Sequence, residues 1–379
     1  MANVLINHQT KNLRYAIEEL NEHNLYSWRA LGNDFAKKTT PDKSSKVLEY
    51  LDLYDTNRSI IAGKIKKYYT DKKIDIIFPL YNDMMFPYIY EILGFTTHQA
   101  EILSSKEKYT AMAKRLGIPV PNTYNSIQDA DYPVIAKPVN GTGSLGVKVL
   151  NNDKEYKYFV SGEDIQYNNL GKHYIYQEFL NGPTVSVAGR IVDNELILDC
   201  AYTIESSQLP YRAETGFTFV PKTYDELQLK NYIKLIANEL NLSNCVWMAD
   251  FILKDNDFYL IDFSPRLSVS AQAIIKYGAN IDYNKIVLDS LLYKDNTKIK
   301  FSKSVLFRYF DIPKGEFQVK YNKNISCDEL VLPNNFNYLS RLDVLMPYKG
   351  YAITSANSIK TAEEKFSLIK DGLLLTKLD

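Results

Sequence analysis

Cysteine and histidine are scarce in this chain. The three cysteines, Cys200, Cys245 and Cys327, are odd in number, far apart and without a CxxC pair, which argues against a disulfide framework and a structural zinc site. The four histidines, His8, His23, His98 and His173, are too scattered for a metal cluster, and nothing pairs a serine or cysteine nucleophile with one of them. No apolar run reaches the ~18 residues of a spanning helix. The start, MANVLINHQT, lacks the basic stretch and long apolar core of a signal peptide, so the expected setting is cytoplasmic, with no membrane partner. Net charge is also missing: 45 Lys and Arg balance 45 Asp and Glu, and no global field favours nucleic acid. What is present is a 379-residue chain, 45% hydrophobic and 24% charged, enough for a sizeable core and, by length, for two or three domains. Thirty tyrosines are a compositional bias from which no function follows.

The most informative stretch is Tyr132 to Leu150, YPVIAKPVNGTGSLGVKVL. Val134 and Ile135 lead a strand that ends at Lys137 and Pro138, and Val147, Lys148 and Val149 read as its return partner. Between them lie Gly141, Thr142, Gly143, Ser144 and Gly146. Glycines at this density allow positive φ and uncover backbone N–H groups, so the loop can wrap a phosphate, with Lys137 as a point charge beside it. A P-loop needs GK[ST] running into a helix and a Rossmann fingerprint needs GxGxxG opening one; neither occurs here. A plain hairpin with a flexible loop stays open as the alternative.

Around this stretch the chain reads in order. A strand at residues 2–6, a helix through Leu13, Ile17 and Leu20, a stretch from Lys46 to Leu53, a helix from Ile60 to Tyr69 and a strand from Ile74 to Phe78 give βαβ punctuation. The expectation is an open parallel α/β domain with ligands beyond its strand ends, which carry Asn7, His8, Pro79, Tyr81, Asn82 and Asp83. The segment SSKEKYTAMAKRLG predicts a serine-capped helix ending at Gly117. Its Lys106 lies in the first turn, where a cation opposes the helix dipole, and IPVPNTY then forms a semi-rigid hinge. Tyr174 to Gln177 is a strand running into Glu178, Phe179 and Leu180. That end reads either as the edge of a flat pocket or as a hairpin corner. In VWMADFILKDNDFYLIDFSPR two apolar strands flank a turn. With a loop of Asp255 to Asp257 the register pairs residues whose numbers sum to 512, and Asp250 faces Asp262. Like charges opposed in a sheet destabilise it and invite a cation such as Mg²⁺; a one-residue register shift, which separates them, is the alternative. Ser264 follows on the same face and Arg266 follows Pro265. Helices from Tyr224 to Leu240 and Ser270 to Tyr293, strands at Ser304 to Tyr309 and Gly350 to Thr354, and a helix from Thr361 to Asp371 complete the reading.

A KP strand with a glycine loop, a QEFL turn some forty residues on and a D…DFSPR hairpin stand in one order. Together they resemble the ATP-grasp superfamily, in particular its carboxylate–amine ligase branch, which includes biotin carboxylase, D-alanine–D-alanine ligase and carbamoyl-phosphate-synthase-like proteins. The helix ending in GIPVP and the closing GYAITSANSIKTAEEK share the likeness. The resemblance implies an α/β and α+β chain: a parallel pre-ATP-grasp α/β domain at 1–103, a small lobe with the glycine loop at 104–183, and a large lobe with the metal hairpin at 184–379. It implies ATP and Mg²⁺ as cofactors. Lys106 and Lys137 would contact phosphates under the Gly141 to Gly146 loop. Gln177, Glu178, Phe179 and Leu180 would form the adenine hinge, largely through main chain at Glu178 and Leu180. Asp250 and Asp262 would hold the metal, Arg266 would face a reacting acyl phosphate, and Arg212, in PYRAETG, would bind an anion on the acceptor side. The family pattern Glu-x-Asn-x-Arg is here Asp262, Ser264, Arg266, and a glutamate that often follows the hinge is Thr184, so the metal site has a shorter carboxylate and one amide fewer. The implied activity joins a small carboxylate, such as an amino acid, to an amine, releasing ADP and phosphate. The rivals are a nucleotide-binding module without turnover and carbamoyl-phosphate-type chemistry on bicarbonate. Dimerisation is common in the family; no stretch here speaks to it.

Overall fold

The computed structural model describes residues 1–8, 13–32, 42–81, 86–124, 126–141, 144, 146–161, 173–210, 212, 214–310, 317–321, 326–332 and 350–377. Asn82, Asp83, Thr142 and Gly143 lie outside the described residues.

The chain opens on a parallel sheet of β1 (Asn3–Asn7), β2 (Asn24–Ala30), β3 (Glu49–Leu53) and β4 (Ile76–Ile77), in the order β3-β2-β1-β4. Helix α1 (Leu13–Glu19) links β1 to β2, and α2 (Arg58–Asp71) links β3 to β4. Val4, Leu5 and Ile6 are all buried and divide between two separate cores, as expected of a strand covered on both faces. Three short helices follow: α3 (Phe86–Ile89), α4 (Thr97–Leu103) and α5 (Lys106–Arg115), the last capped by the Ser105 hydroxyl, which accepts from the Lys108 N–H.

The second sheet is antiparallel and built from β5 (Thr123–Tyr124), β6 (Val134–Pro138), β7 (Lys148–Leu150) and β8 (Tyr174–Glu178), ordered β5-β8-β6-β7. Helix α6 (Asp153–Val160) lays Phe159 onto the small core of Val134, Ala136 and Leu150. The third sheet has eight antiparallel strands. Its members β9 (Thr184–Val192), β10 (Glu195–Ser206), β11 (Glu214–Phe219), β12 (Cys245–Lys254), β13 (Asp257–Ser264), β14 (Ser304–Tyr309), β16 (Glu329–Val331) and β17 (Tyr351–Ala356) run β13-β12-β9-β10-β11-β14-β17-β16. Strands β15 (Phe317–Tyr321) and β18 (Leu373–Lys377) pair apart from it.

Helix α7 (Glu226–Glu239) buries Leu229, Ile233 and Ile236 in the core that holds Trp247 and Phe251, while α8 (Val269–Ala279) and α9 (Tyr283–Tyr293) pack in the core that holds Tyr202 and Phe217. The single helix expected from Ser270 to Tyr293 is thus two. Asn280 takes a left-handed φ of 58° after α8, and asparagine is one of the few residues that adopts that terminating conformation cheaply. The last helix, α10 (Ile359–Asp371), is capped by Ser358 and covers β14 and β17. No described helix is long and apolar enough to cross a membrane.

Candidate nucleotide and metal site

The β12–β13 hairpin carries the two carboxylates face to face, although not for the reason the turn suggested. Its loop has two residues, Asp255 and Asn256, both at positive φ. Lys254 therefore pairs with Asp257, and the pairs out to Phe251 with Leu260 sum to 511. At that register Asp262 would oppose Ala249. A bulge at Ile261 supplies one extra residue and restores the sum of 512, so Asp250 lies opposite Asp262, Ala249 opposite Phe263 and Met248 opposite Ser264. The expected pairing stands, the expected three-residue loop does not, and a bulge that re-aims a side chain does the work.

Asp262 is anchored through one oxygen. Its Oδ1 accepts from Lys106 Nζ at 2.9 Å, Tyr109 Oη at 2.8 Å and the Phe263 N–H at 3.1 Å. Among the described residues no hydrogen bond reaches its other oxygen. Asp250 lies between Asp262 and Ser186 on the flanking strands, and its Oδ1 is buried without a hydrogen-bond partner among the described residues. Burial, and after it the charge of Asp262, push the Asp250 carboxyl up to about 7. The charge of Glu214 acts in the same direction and that of Arg266 against it.

Lys106 and Lys137 come from the two sides of the small sheet's exit. The Lys106 N–H donates to the Val139 carbonyl at 3.0 Å, which ties the start of α5 to the end of β6, and its ammonium crosses to Asp262. That ion pair explains a cation in the first turn, where the helix dipole disfavours it. Lys137 is only 6% exposed and forms no ion pair or hydrogen bond through its ammonium among the described residues. Burial first, then Lys106, lowers it to about 8, with Asp262 and Asp250 pulling the other way. A buried ammonium without a paired anion is costly, and an anion of the phosphate kind would relieve it.

The loop above it has Ser144 at φ 57° and Gly146 at φ 78°, and Gly141 lines a cavity beside Lys106. At the hinge, the side chains turn out to be structural. Gln177 is buried and its Nε2 donates to Thr123 Oγ1 at 3.0 Å, while the Glu178 carboxylate meets Asn122 Nδ2 at 3.1 Å and Lys254 Nζ at 3.5 Å. The Glu178 N–H is spent on the Asn122 carbonyl and the Phe179 N–H on the Pro133 carbonyl; no described backbone carbonyl accepts from the Leu180 N–H. Gly182 is held tightly here, since a Cβ on it would lie 2.2 Å from the Leu253 carbonyl oxygen.

Arg212 Nη2 donates to Thr184 Oγ1 at 3.1 Å, forms no ion pair among the described residues, and has its pKa lowered by burial. Thr184, the departure from the family pattern, is therefore where this arginine docks. Arg266 donates to the Leu267 carbonyl at 3.3 Å. Its segment is fixed by the first sheet: Tyr81 Oη donates to the Pro265 carbonyl at 2.7 Å, and the Leu267 N–H to the Pro79 carbonyl at 2.9 Å. Of the strand-end residues singled out, Pro79 and Tyr81 support the site. His8 is engaged within its own sheet region, edge-on to Tyr50, with Nε2 at 2.9 Å from the Asp42 carbonyl.

Sequence reasoning missed Tyr109, Ser186 and Glu214. For Tyr109 the available signal was its spacing of three from Lys106, since such residues share a helix face. Glu214 acts on Asp250 by charge from β11, three places along the sheet from β12, which no local pattern announces. Among the described residues no group of three His, Cys, Asp or Glu side chains can hold a metal. Two opposed carboxylates, each with an oxygen not used by the described residues, nevertheless fit a hard divalent cation that keeps positions for phosphate oxygens.

The profile of the ATP-grasp domain family matches residues 103–270, the segment that contains every residue described above from Lys106 to Arg266. Over that segment the chain is similar to ATP-grasp domains. The whole chain has the ATP-grasp fold preceded by a parallel α/β sheet, and solved structures share it. L-amino acid ligase from Bacillus licheniformis superposes with a TM-score of 0.80 at 16% identity, over 100% of this chain and 99% of that one. Phosphoribosylglycinamide synthetase from Anaerococcus prevotii gives 0.68 at 16% identity, over 100% of each chain. Biotin carboxylase from Campylobacter jejuni gives 0.67 at 16% identity, over 99% of this chain and 92% of that one.

Proposed function

We propose that this ATP-grasp chain is an ATP-dependent carboxylate–amine ligase acting on an amino acid or similar small acid. The observation that carries the reading lies in one place: among the described residues the buried Lys137 ammonium has no ion-pair or hydrogen-bond partner, and beside it Asp250 Oδ1 and the second oxygen of Asp262 accept no hydrogen bond. An ATP phosphate chain with Mg²⁺ satisfies both at once. Lys106 and Lys137 bind the phosphates, and the Leu180 N–H and Glu178 main chain take the adenine edge. Asp250 and Asp262 would hold the ion, which when bound supplies neutralisation of charge on the transferring phosphoryl group. The substrate carboxylate displaces ADP from the γ-phosphorus and becomes an acyl phosphate; the amine nitrogen then attacks the acyl carbon, phosphate leaves, and the amine proton goes to solvent. Arg266 and Arg212 orient the anionic acyl phosphate. The glycine loop, closed over the phosphates, excludes water that would hydrolyse it. The ligase neighbours above support this class of reaction.

The test is ADP release across a panel of amino acids and sugar acids, each with and without an amine acceptor. Acid-stimulated release with amide product supports the ligase. ATP binding without stimulated release assigns the chain to nucleotide binding alone, and release driven by bicarbonate with no organic acid assigns it to carbamoyl-phosphate-type chemistry.

A further inference from the structure

A cavity of about 250 Å³ is lined by the Lys106–Asp262 ion pair and lies between α3, α4, α5 and the exit of β6 at Val139 to Gly141. Its walls include Pro87, Ala100, Leu103, Val139 and Phe263, the last four of them buried. The Ser104 hydroxyl also lines it and is buried with no hydrogen-bond partner among the described residues, a state that costs free energy unless a ligand or water completes it. The volume falls below the ~300–1,000 Å³ of sites that enclose a whole drug-sized ligand. It suits one side chain, and walls that are apolar over most of their area, with Thr97, Glu101 and Asn140 as the further polar points, favour an apolar one over a phosphate. The mouth is polar, because Lys106 and Asp262 belong at once to this cavity and to the site where the phosphoryl group would transfer.

We infer that the cavity receives the side chain of the carboxylate substrate, which makes that substrate an amino acid with a medium-sized, mainly apolar side chain, from leucine to phenylalanine in size. With the side chain lodged there, the substrate carboxylate lies at the mouth beside Lys106, on the line to the phosphates. The inference rests on the ligase reading above and adds the substrate class to it.

The experiment compares wild type, Ala100→Phe and Leu103→Ala, using alanine, leucine, methionine and phenylalanine as acids with one fixed amine, and reads kcat/KM for ADP release. Affinity for a non-hydrolysable ATP analogue is measured in parallel as a check on folding. Wild type is expected to prefer the three larger acids over alanine by about 10-fold or more, since each methylene in an apolar pocket discriminates on that scale. The phenylalanine-to-alanine ratio should fall about 10-fold or more in Ala100→Phe and rise in Leu103→Ala. Opposite shifts from two substitutions in one wall cannot arise from misfolding. Acid-stimulated ADP release whose preference is the same in all three proteins overturns the cavity assignment and leaves the ligase standing. Release stimulated by none of the acids in wild type overturns the assignment; if sugar acids also fail, the ligase reading falls with it.

Discussion

Replacing Asp250 by asparagine should stabilise the metal-free protein at alkaline pH while abolishing its chemistry. Asp250 has an ordinary value of 3.8 and is pushed up to about 7 in the fold by burial and by Asp262. Because the folded value is the higher one, the native state holds an extra proton between pH 4 and pH 7. Stability is then full below pH 4 and is lost as pH rises through 7. About three pH units at 1.36 kcal/mol each set an upper bound of about 4 kcal/mol at pH 8; solvent access and side-chain relaxation reduce this to about 1–3 kcal/mol. Asparagine keeps the shape and carries no charge, so the variant should exceed wild type by that amount at pH 8, with the difference shrinking toward zero as pH falls to 4 and below. Urea denaturation in EDTA, followed by circular dichroism across this range, measures the difference. Adding Mg²⁺ and an ATP analogue should reverse the order, because only wild type gains the full linkage stabilisation of binding. A variant that is less stable at pH 8, or whose difference from wild type does not change with pH, refutes the opposed-carboxylate argument.

Other substitutions separate the jobs of the site. Lys137→Ala should weaken ATP-analogue affinity by about 10-fold or more, read by calorimetry, since a charge-assisted contact is worth about 1.5–3 kcal/mol. Asp262→Asn should act chiefly on turnover, with kcat falling at least ~10-fold at saturating ATP; equal, negligible effects from this pair would reduce the glycine loop to a plain hairpin. Gly182→Ala must move the hinge away from the Leu253 carbonyl, so ATP affinity should drop several-fold while the KM for the acid holds. Glu329 accepts from Arg14, Tyr15, Tyr277 and Tyr351 and joins α1 to the far edge of the large sheet. Its change to Ala strands three hydroxyls at about 1 kcal/mol or more each, and the thermal midpoint should fall accordingly.

The chain's local patterns told more about what the site contains than about how it is held. Lys137, the hinge and both aspartates stand in short apolar strands, and Lys106 opens a serine-capped helix, all with recognisable punctuation, so their elements were legible. The Ile261 bulge was not. The alternation of apolar residues through Phe258, Leu260 and Phe263 fits either register, and only contacts from another element decide between them. Strand β2 escaped notice for a related reason: NLYSWRA has no clean period because it lies inside a parallel sheet, where both faces are buried. The break at Asn280 was hidden by an apolar content that stays helical on both sides. Ser186 meets Asp250 through the β9–β12 pairing and Glu214 acts on it by charge from β11, both tens of residues away in the chain, a distance over which a sequence window is blind.

Tyr109 shows how these two levels meet. Its hydroxyl has one proton and two acceptors, the Ile261 carbonyl at 2.8 Å and Asp262 Oδ1 at 2.8 Å. The first is the carbonyl of the bulged residue, the group that an extra residue in a ladder leaves without a strand partner. The second is the carboxylate that the bulge turns to face Asp250. A single buried phenol thus satisfies the backbone irregularity and fixes the side chain that the irregularity exists to aim. Lys106, one turn earlier on α5, adds an ammonium on the same carboxylate oxygen. The helix predicted from SSKEKYTAMAKRLG is therefore also the support that holds Asp262 opposite Asp250.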